Sequence, residues 1–231
     1  MNETKFVSVA IDGPAGVGKS TIARRVAAEL GYLYVDTGAI YRTVGYHMSL
    51  MGIGPKDADG IRRCIDDVNI RIEHQADGMQ HMILNGEDVT ELIRTPEMSK
   101  MASGVAAQSC VRDYLLEMQR ELARTHNVVM DGRDIGTVVL PHAQVKVYLT
   151  ASAEVRAERR WRELTARGEN VRFEEVYTDV IKRDEQDMTR KIAPLKCADD
   201  AEVLDCSYLT IEQVVAEMKA IIRRKAGAHG E

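Results

Sequence analysis

Cysteine is sparse and scattered: Cys64, Cys110, Cys197 and Cys206 form no C-x-x-C pair. That spacing indicates neither a metal site nor a disulfide framework, and a reducing cytoplasm is the simplest setting. A surplus of positive charge is also missing. The 31 Lys and Arg against 36 Asp and Glu leave a formal net charge of −5, so no overall basic field draws a polyanion and a nucleic-acid partner is not expected. No segment reaches about 18 consecutive apolar residues, and the stretch from Met1 to Phe6 lacks a basic run followed by an apolar one, so the chain is expected to be soluble and unexported, with no membrane partner. Repeats, low-complexity tracts and Pro/Ser-rich linkers are absent as well. What is present is 45% hydrophobic residues in 231, enough for one full core with room for an inserted subdomain.

Phe6 to Ile11 (FVSVAI) is a short β-branched run that ends at Asp12-Gly13-Pro14-Ala15-Gly16, where glycine and proline stop a strand. From Lys19 the period changes. Ile22, Val26 and Leu30 recur at helical spacing until Gly31, which gives a strand–loop–helix unit. Further strands are expected at Tyr32–Val35, Val128–Met130, Val145–Leu149 and Glu202–Leu204, separated by segments long enough for crossovers. Five strands alternating with helices predict an α/β fold with a parallel sheet. One core-facing helix carries Val111, Leu115, Met118 and Leu122, and another carries Ile211, Val214, Val215, Met218 and Ile222 behind a Thr210-x-x-Gln213 capping box. VNIRIE and MQHMIL alternate apolar and polar residues around Ala76-Asp77-Gly78 and are followed by Asn85-Gly86. From about Val68 to Asp88 the chain therefore reads as an antiparallel insert, docked on the main body.

Gly13-Pro14-Ala15-Gly16-Val17-Gly18-Lys19-Ser20 satisfies G-x-x-x-x-G-K-S/T in full, after a strand and before a helix. Glycines let successive backbone N–H groups turn toward phosphate oxygens at a helix N-terminus, where the dipole also favours negative charge. Lys19 then reaches the β- and γ-phosphates, and the Ser20 hydroxyl is placed for Mg2+. The sequence holds no N-K-x-D for guanine and no L-S-G-G-Q signature, so the question becomes what accepts the phosphoryl group.

Four arginine-bearing clusters bear on it. Arg42 in Asp36-Thr37-Gly38-Ala39-Ile40-Tyr41-Arg42 follows a strand and reads equally as a phosphate clamp or as a surface helix arginine. Asp131-Gly132-Arg133-Asp134-Ile135-Gly136-Thr137 also lies at a strand's carboxyl end, where a ligand site is expected. Ser103 and Arg112 bracket a helix start and, without context, say little. Arg183, Asp187 and Arg190 are spaced to share one helix face, continuing an apolar stripe of Phe173, Val176 and Val180; a ligand site and an intrahelical salt-bridge ladder both fit. Residues 151–196 carry 11 Lys/Arg against 10 Asp/Glu, the balance of a charged lid more than of an RNA patch.

GPAGVGKST, VDTGAIYR, the β-like insert, DGRDIGTVVLP and RDEQDMTRKIAPL, in this order, resemble the bacterial cytidylate kinases across nearly the whole chain. The resemblance implies a P-loop nucleoside monophosphate kinase fold with a five-stranded parallel core (1–62 and 97–231), an NMP-binding insert (63–96) and a lid (about 155–196). It implies ATP and CMP or dCMP as substrates, Mg2+ as the ion and a monomer. ATP would lie on Gly13, Pro14, Ala15, Gly16, Val17, Gly18, Lys19, Ser20 and Thr21. Thr37, Ser103, Arg112 and Asp134 would surround the base, Arg42 and Arg133 the acceptor phosphate, and Arg183 and Asp187 the ribose, with Arg190 near the acceptor. Lys19, Arg133 and Arg190 would carry the catalytic charge. Thr37 departs from a frequent serine but keeps the hydroxyl. Cytosine chemistry agrees with this set, because its C4 amino group wants an acceptor such as Asp134 and its N3 or O2 wants a donor such as Arg112, whereas uracil would turn a carbonyl toward the carboxylate. A sibling kinase acting on UMP, AMP or a small hydroxy acid, and a non-enzymatic ATP-binding regulator touching RNA through the lid, are the alternatives.

Overall fold

The computed structural model describes residues 6–74 and 80–227. β1 (Ser8–Asp12) is buried at every position, as a central strand covered on both faces must be. α1 (Lys19–Leu30) buries Ile22, Ala23, Val26 and Ala27 and ends where Gly31 turns left-handed, its N–H donating to the Ala27 and Ala28 carbonyls. β2 (Leu33–Asp36) leads straight into α2 (Thr37–Leu50), which the Asp36 carboxylate caps by accepting from Ala39 N at 2.8 Å. α3 (Ala58–Cys64) then leads into the three-stranded insert, β3 (Ile70–His74), β4 (Gln80–Leu84) and β5 (Glu87–Asp88).

α4 (Pro96–Val105) and α5 (Ser109–Thr125) return the chain to β6 (Val128–Gly132). A single wide turn of helix, Ile135–Val139, connects to β7 (Val145–Thr150). The hairpin of α6 (Ala153–Ala166) and α7 (Phe173–Thr189) precedes β8 (Glu202–Asp205) and α8 (Ile211–Gly227). The capping box at α8 is present in both directions: Thr210 N donates to Gln213 Oε1 at 2.8 Å and Gln213 N to Thr210 Oγ1 at 3.3 Å.

The main sheet has the order β2-β6-β1-β7-β8, parallel throughout, with Asp12 opposite Gly132 on one side and Tyr148 on the other. Strand alternation divides the core. Ala10, Val35, Val128 and Met130 face α2 and α5, while Val9, Ile11, Val129, Val145, Val147 and Leu149 face α1 and α8. Because β1 lies between β6 and β7, the crevice outside the carboxyl ends of these strands opens at the topological switch point, where open α/β sheets bind ligands.

The insert is antiparallel as its alternation predicts, with Ile70 opposite Leu84 and His74 opposite Gln80. The Ala76-Asp77-Gly78 turn lies outside the described residues. Asn85 and Gly86, with φ of 50° and 93°, make the second turn, into β5. Ile70, Met82, Leu84, Val89 and Ile93 join one apolar cluster with Ile40, Val44 and Met48 of α2. Each such side chain contributes about 1.5–3 kcal/mol relative to exposure, so the insert is docked on the core.

Candidate active site

The P-loop spans the gap from β1 to α1. Ala15, Gly16, Gly18, Lys19, Ser20 and Thr21 line a cavity of about 510 Å³, whereas Gly13, Pro14 and Val17 lie buried beneath the loop. α1 has no side-chain cap and no acidic residue in its first turn, which leaves its N-terminal field open to an anion. Lys19 Nζ donates to the carbonyls of Gly13 (2.8 Å) and Pro14 (2.7 Å). Burial, and then the Arg133 cation, push its ammonium well below the ordinary lysine value. The negative charge of an arriving polyphosphate would favour the ammonium and act against this shift.

The other wall of the same cavity carries Thr37 and Arg42 from α2, Ser103 from α4, Arg112 from α5, Arg133 and Asp134 beyond β6, Arg183 and Asp187 from α7, and Arg190. Four helices and a strand end, drawn from 154 residues of chain between Thr37 and Arg190, thus converge opposite the P-loop. Asp134 is buried; Arg112 pairs with its Oδ2 and Arg190 Nη2 lies 3.3 Å from its Oδ1. Burial pushes this carboxyl up against the opposing pull of the two arginines. Arg112 also sits 5.8 Å from the Tyr41 ring centroid, a cation–π distance. Arg42 pairs with Asp36 at 3.0 Å. The Thr37 hydroxyl donates to the Asp131 carbonyl at 2.7 Å, so its proton is already engaged.

The α7 stripe differs from the sequence expectation in two respects. α7 ends at Thr189, and Arg190 lies beyond it with ψ of 140°. The chain doubles back there, with Leu195 N donating to the Asp187 carbonyl at 2.7 Å and Arg190 Nε to the Ala193 carbonyl at 2.6 Å, which swings Arg190 toward Asp134. Asp187 pairs across the cavity with Arg133 Nε at 2.8 Å and not along the helix with Arg183. An intrahelical ladder is therefore not what these residues form. The α6–α7 hairpin is fastened to the P-loop by buried Arg156, which pairs with Asp184 and donates to the Ala15 carbonyl at 3.1 Å.

Sequence reasoning passed over two carboxylates. Asp131, at the end of β6, accepts from Ser20 Oγ and Tyr34 Oη, each at 3.0 Å. It is buried, and burial followed by the Asp36 charge pushes it up to about 6. Asp12, at the end of β1, is likewise pushed up to about 6 by burial, against two backbone N–H groups that it accepts from. The available signal was position, since both stand at the carboxyl ends of central strands. Asp131 and Ser20 together offer hard oxygen donors beside the P-loop, and no cluster of three His, Cys, Asp or Glu occurs among the described residues. That donor set suits an ion that keeps waters and binds phosphate oxygens, as Mg2+ does, better than one held by an all-protein cage.

A P-loop at a switch point, faced across one cavity by a set of arginines and paired carboxylates, defines a phosphoryl-transfer kinase for a small anionic acceptor. The pattern of one family, cytidylate kinase, matches residues 9–224. The chain belongs to the cytidylate kinase family. It is 52% identical to the cytidylate kinase of Carboxydothermus hydrogenoformans over 94% of this chain and 97% of that one. It is 48% identical to that of Caldicellulosiruptor bescii over 93% and 94%, and 46% identical to that of Geobacter sulfurreducens over 95% and 94%. Among solved structures, an uncharacterized protein from Eubacterium ventriosum shares the fold with a TM-score of 0.53 at 10% identity, over 95% of this chain and 99% of that one. No helix among the described residues is long and apolar enough to cross a membrane.

Proposed function

We propose that this chain transfers the γ-phosphoryl group of ATP to CMP or dCMP, giving ADP and CDP or dCDP. The observation that carries the reading is the buried Asp134–Arg112 pair, an acceptor beside a donor, lining the same cavity as Lys19. Cytosine presents the complement, an amino donor beside the N3 and O2 acceptors. Each Asp134 oxygen has a second acceptor site left after its arginine bond, so the amino group can be received without breaking the pair.

In this reading ATP lies along Ala15 to Thr21, with the polyphosphate on the loop N–H groups and on Lys19. Ser20 and Asp131 would hold Mg2+, which when bound neutralises charge on the transferring phosphoryl group. Arg42, Arg133 and Arg190 orient the acceptor phosphate, whose own oxygen attacks in line, so the protein supplies position and charge rather than a nucleophile. Arg183 and Asp187 meet the ribose. Closing the α6–α7 hairpin over both nucleotides would keep water from the γ-phosphate.

Asp134→Asn tests the base assignment, because an amide can donate where the carboxylate can only accept. The ratio of kcat/KM for CMP to that for UMP should fall by about 10-fold or more. If CMP and UMP lose the same factor, Asp134 does not read the base.

Asp187→Ala tests the sugar assignment. Arg133 takes Oδ2, which leaves Oδ1 to accept from the ribose 2′-hydroxyl. Stranding that hydroxyl costs about 1–3 kcal/mol, so kcat/KM should drop about 10-fold more for CMP than for dCMP. An equal loss for both substrates would make Asp187 only the holder of Arg133.

A further inference from the structure

The helical turn Ile135–Val139 begins directly after Asp134, which therefore occupies its N-cap position. An aspartate there ordinarily turns its carboxylate onto the second or third N–H of its own helix. Asp134 makes no such bond; its oxygens meet the Arg112 and Arg190 guanidiniums of the cavity instead. The N–H groups at the start of the turn are satisfied from another strand. Asp12 Oδ1 accepts from Ile135 N at 2.8 Å and Oδ2 from Gly136 N at 2.7 Å. These bonds are buried, with Asp12 5% exposed, and Asp12 is the residue immediately before the P-loop glycine Gly13.

We propose that Asp12 is a positioning residue for base selection: by capping the turn in place of Asp134, it releases the Asp134 carboxylate to the nucleotide and locks the acceptor loop to the root of the P-loop. This rests on the reading of Asp134 as the group that meets the base. The geometry makes the exchange specific. In Asp12→Asn one oxygen remains an acceptor, but the new NH2 group faces a backbone N–H, donor against donor. The turn then lacks half its cap, and Asp134 is the residue in place to supply it, at the expense of its bonds in the cavity.

The test is steady-state kinetics of Asp12→Asn, Asp134→Asn and the double variant with CMP, UMP and ATP. In Asp12→Asn the KM for CMP should rise about 10-fold, since one buried hydrogen bond of the loop is lost and the other is no longer charge-assisted. The CMP/UMP ratio of kcat/KM should fall toward that of Asp134→Asn, with the KM for ATP changing by less than about twofold. The double variant should show no further fall in the ratio, because both substitutions remove one shared function. If the ratio falls in Asp134→Asn but keeps its wild-type value in Asp12→Asn, Asp12 serves the fold alone and this inference is overturned while the base assignment stands. A wild-type ratio in both variants overturns the two together. Should Asp12→Asn not be recovered folded, Asp12→Glu keeps the charge and both acceptors but displaces them by one methylene. It is read in the same way: a lower CMP/UMP ratio at unchanged KM for ATP supports the assignment, and an unchanged ratio overturns it.

Discussion

Replacing Lys19 with alanine is expected to lower kcat by roughly three orders of magnitude or more while leaving the fold intact. Among the described residues the side chain donates to two carbonyls of its own loop, those of Gly13 and Pro14. Its ammonium is held in a buried, partly cationic setting that disfavours the charge, so truncation removes an unfavourable buried charge from the free protein. With ATP bound the balance reverses, because charge gathers on the phosphoryl oxygens that Lys19 would otherwise neutralise. Turnover and a thermal melt of the same preparation check both halves. Near wild-type turnover in a folded variant would remove the P-loop from the mechanism.

Gly13→Ala is expected to act on stability with comparable force. Gly13 has φ of 151°, and a Cβ built on it would stand 2.0 Å from the carbonyl oxygen of Leu149 in β7. That oxygen belongs to the backbone of the neighbouring strand and has no rotamer to escape into. β1 and β7 must therefore separate where the P-loop begins, at a cost of roughly 3 kcal/mol or more. For a chain of this size the melting temperature should fall by roughly 6–12 °C. A melt within about 2 °C of wild type, no more than the shift that 1 kcal/mol produces, would show that the loop has slack here.

Much of this fold is legible in the sequence because its signals are local. The parallel strands are short β-branched runs, α1 stops at a glycine, and Thr210 and Gln213 cap α8 as their spacing suggests. The insert is legible for the same reason, through period-two alternation on either side of a turn. The helices α3 and α4 have cap residues, Asp57 for α3 and Thr95 followed by Pro96 for α4, but no long apolar stripe behind them: α3 has seven residues, and α4 is held by packing of Met98, Met101 and Val105 into the core.

The cavity-lining residues are legible as types, Arg133 and Asp134 from their place at a strand end and the others only as members of arginine-bearing clusters, but their partners are not. Asp187 looks along its helix to Arg183 in the sequence and pairs across the cavity with Arg133 in the structure. Arg190 continues a helical spacing that the backbone abandons one residue earlier. Asp12 and Ile135 are 123 residues apart, and only the pairing of β1 with β6 brings them together. Spacing rules hold within one element; which carboxylate meets which guanidinium is decided by the sheet order.

The groups facing Lys19 across the cavity are proposed as an acceptor site for a cytosine monophosphate. The deciding experiment follows ADP release at fixed ATP and Mg2+ with CMP, dCMP, UMP, AMP and a small hydroxy acid as acceptors. The expected result is negligible ADP without acceptor, rapid formation with CMP or dCMP, and a kcat/KM for UMP lower by at least about 10-fold. ADP formation that is independent of CMP, or equal for CMP and UMP, would contradict it.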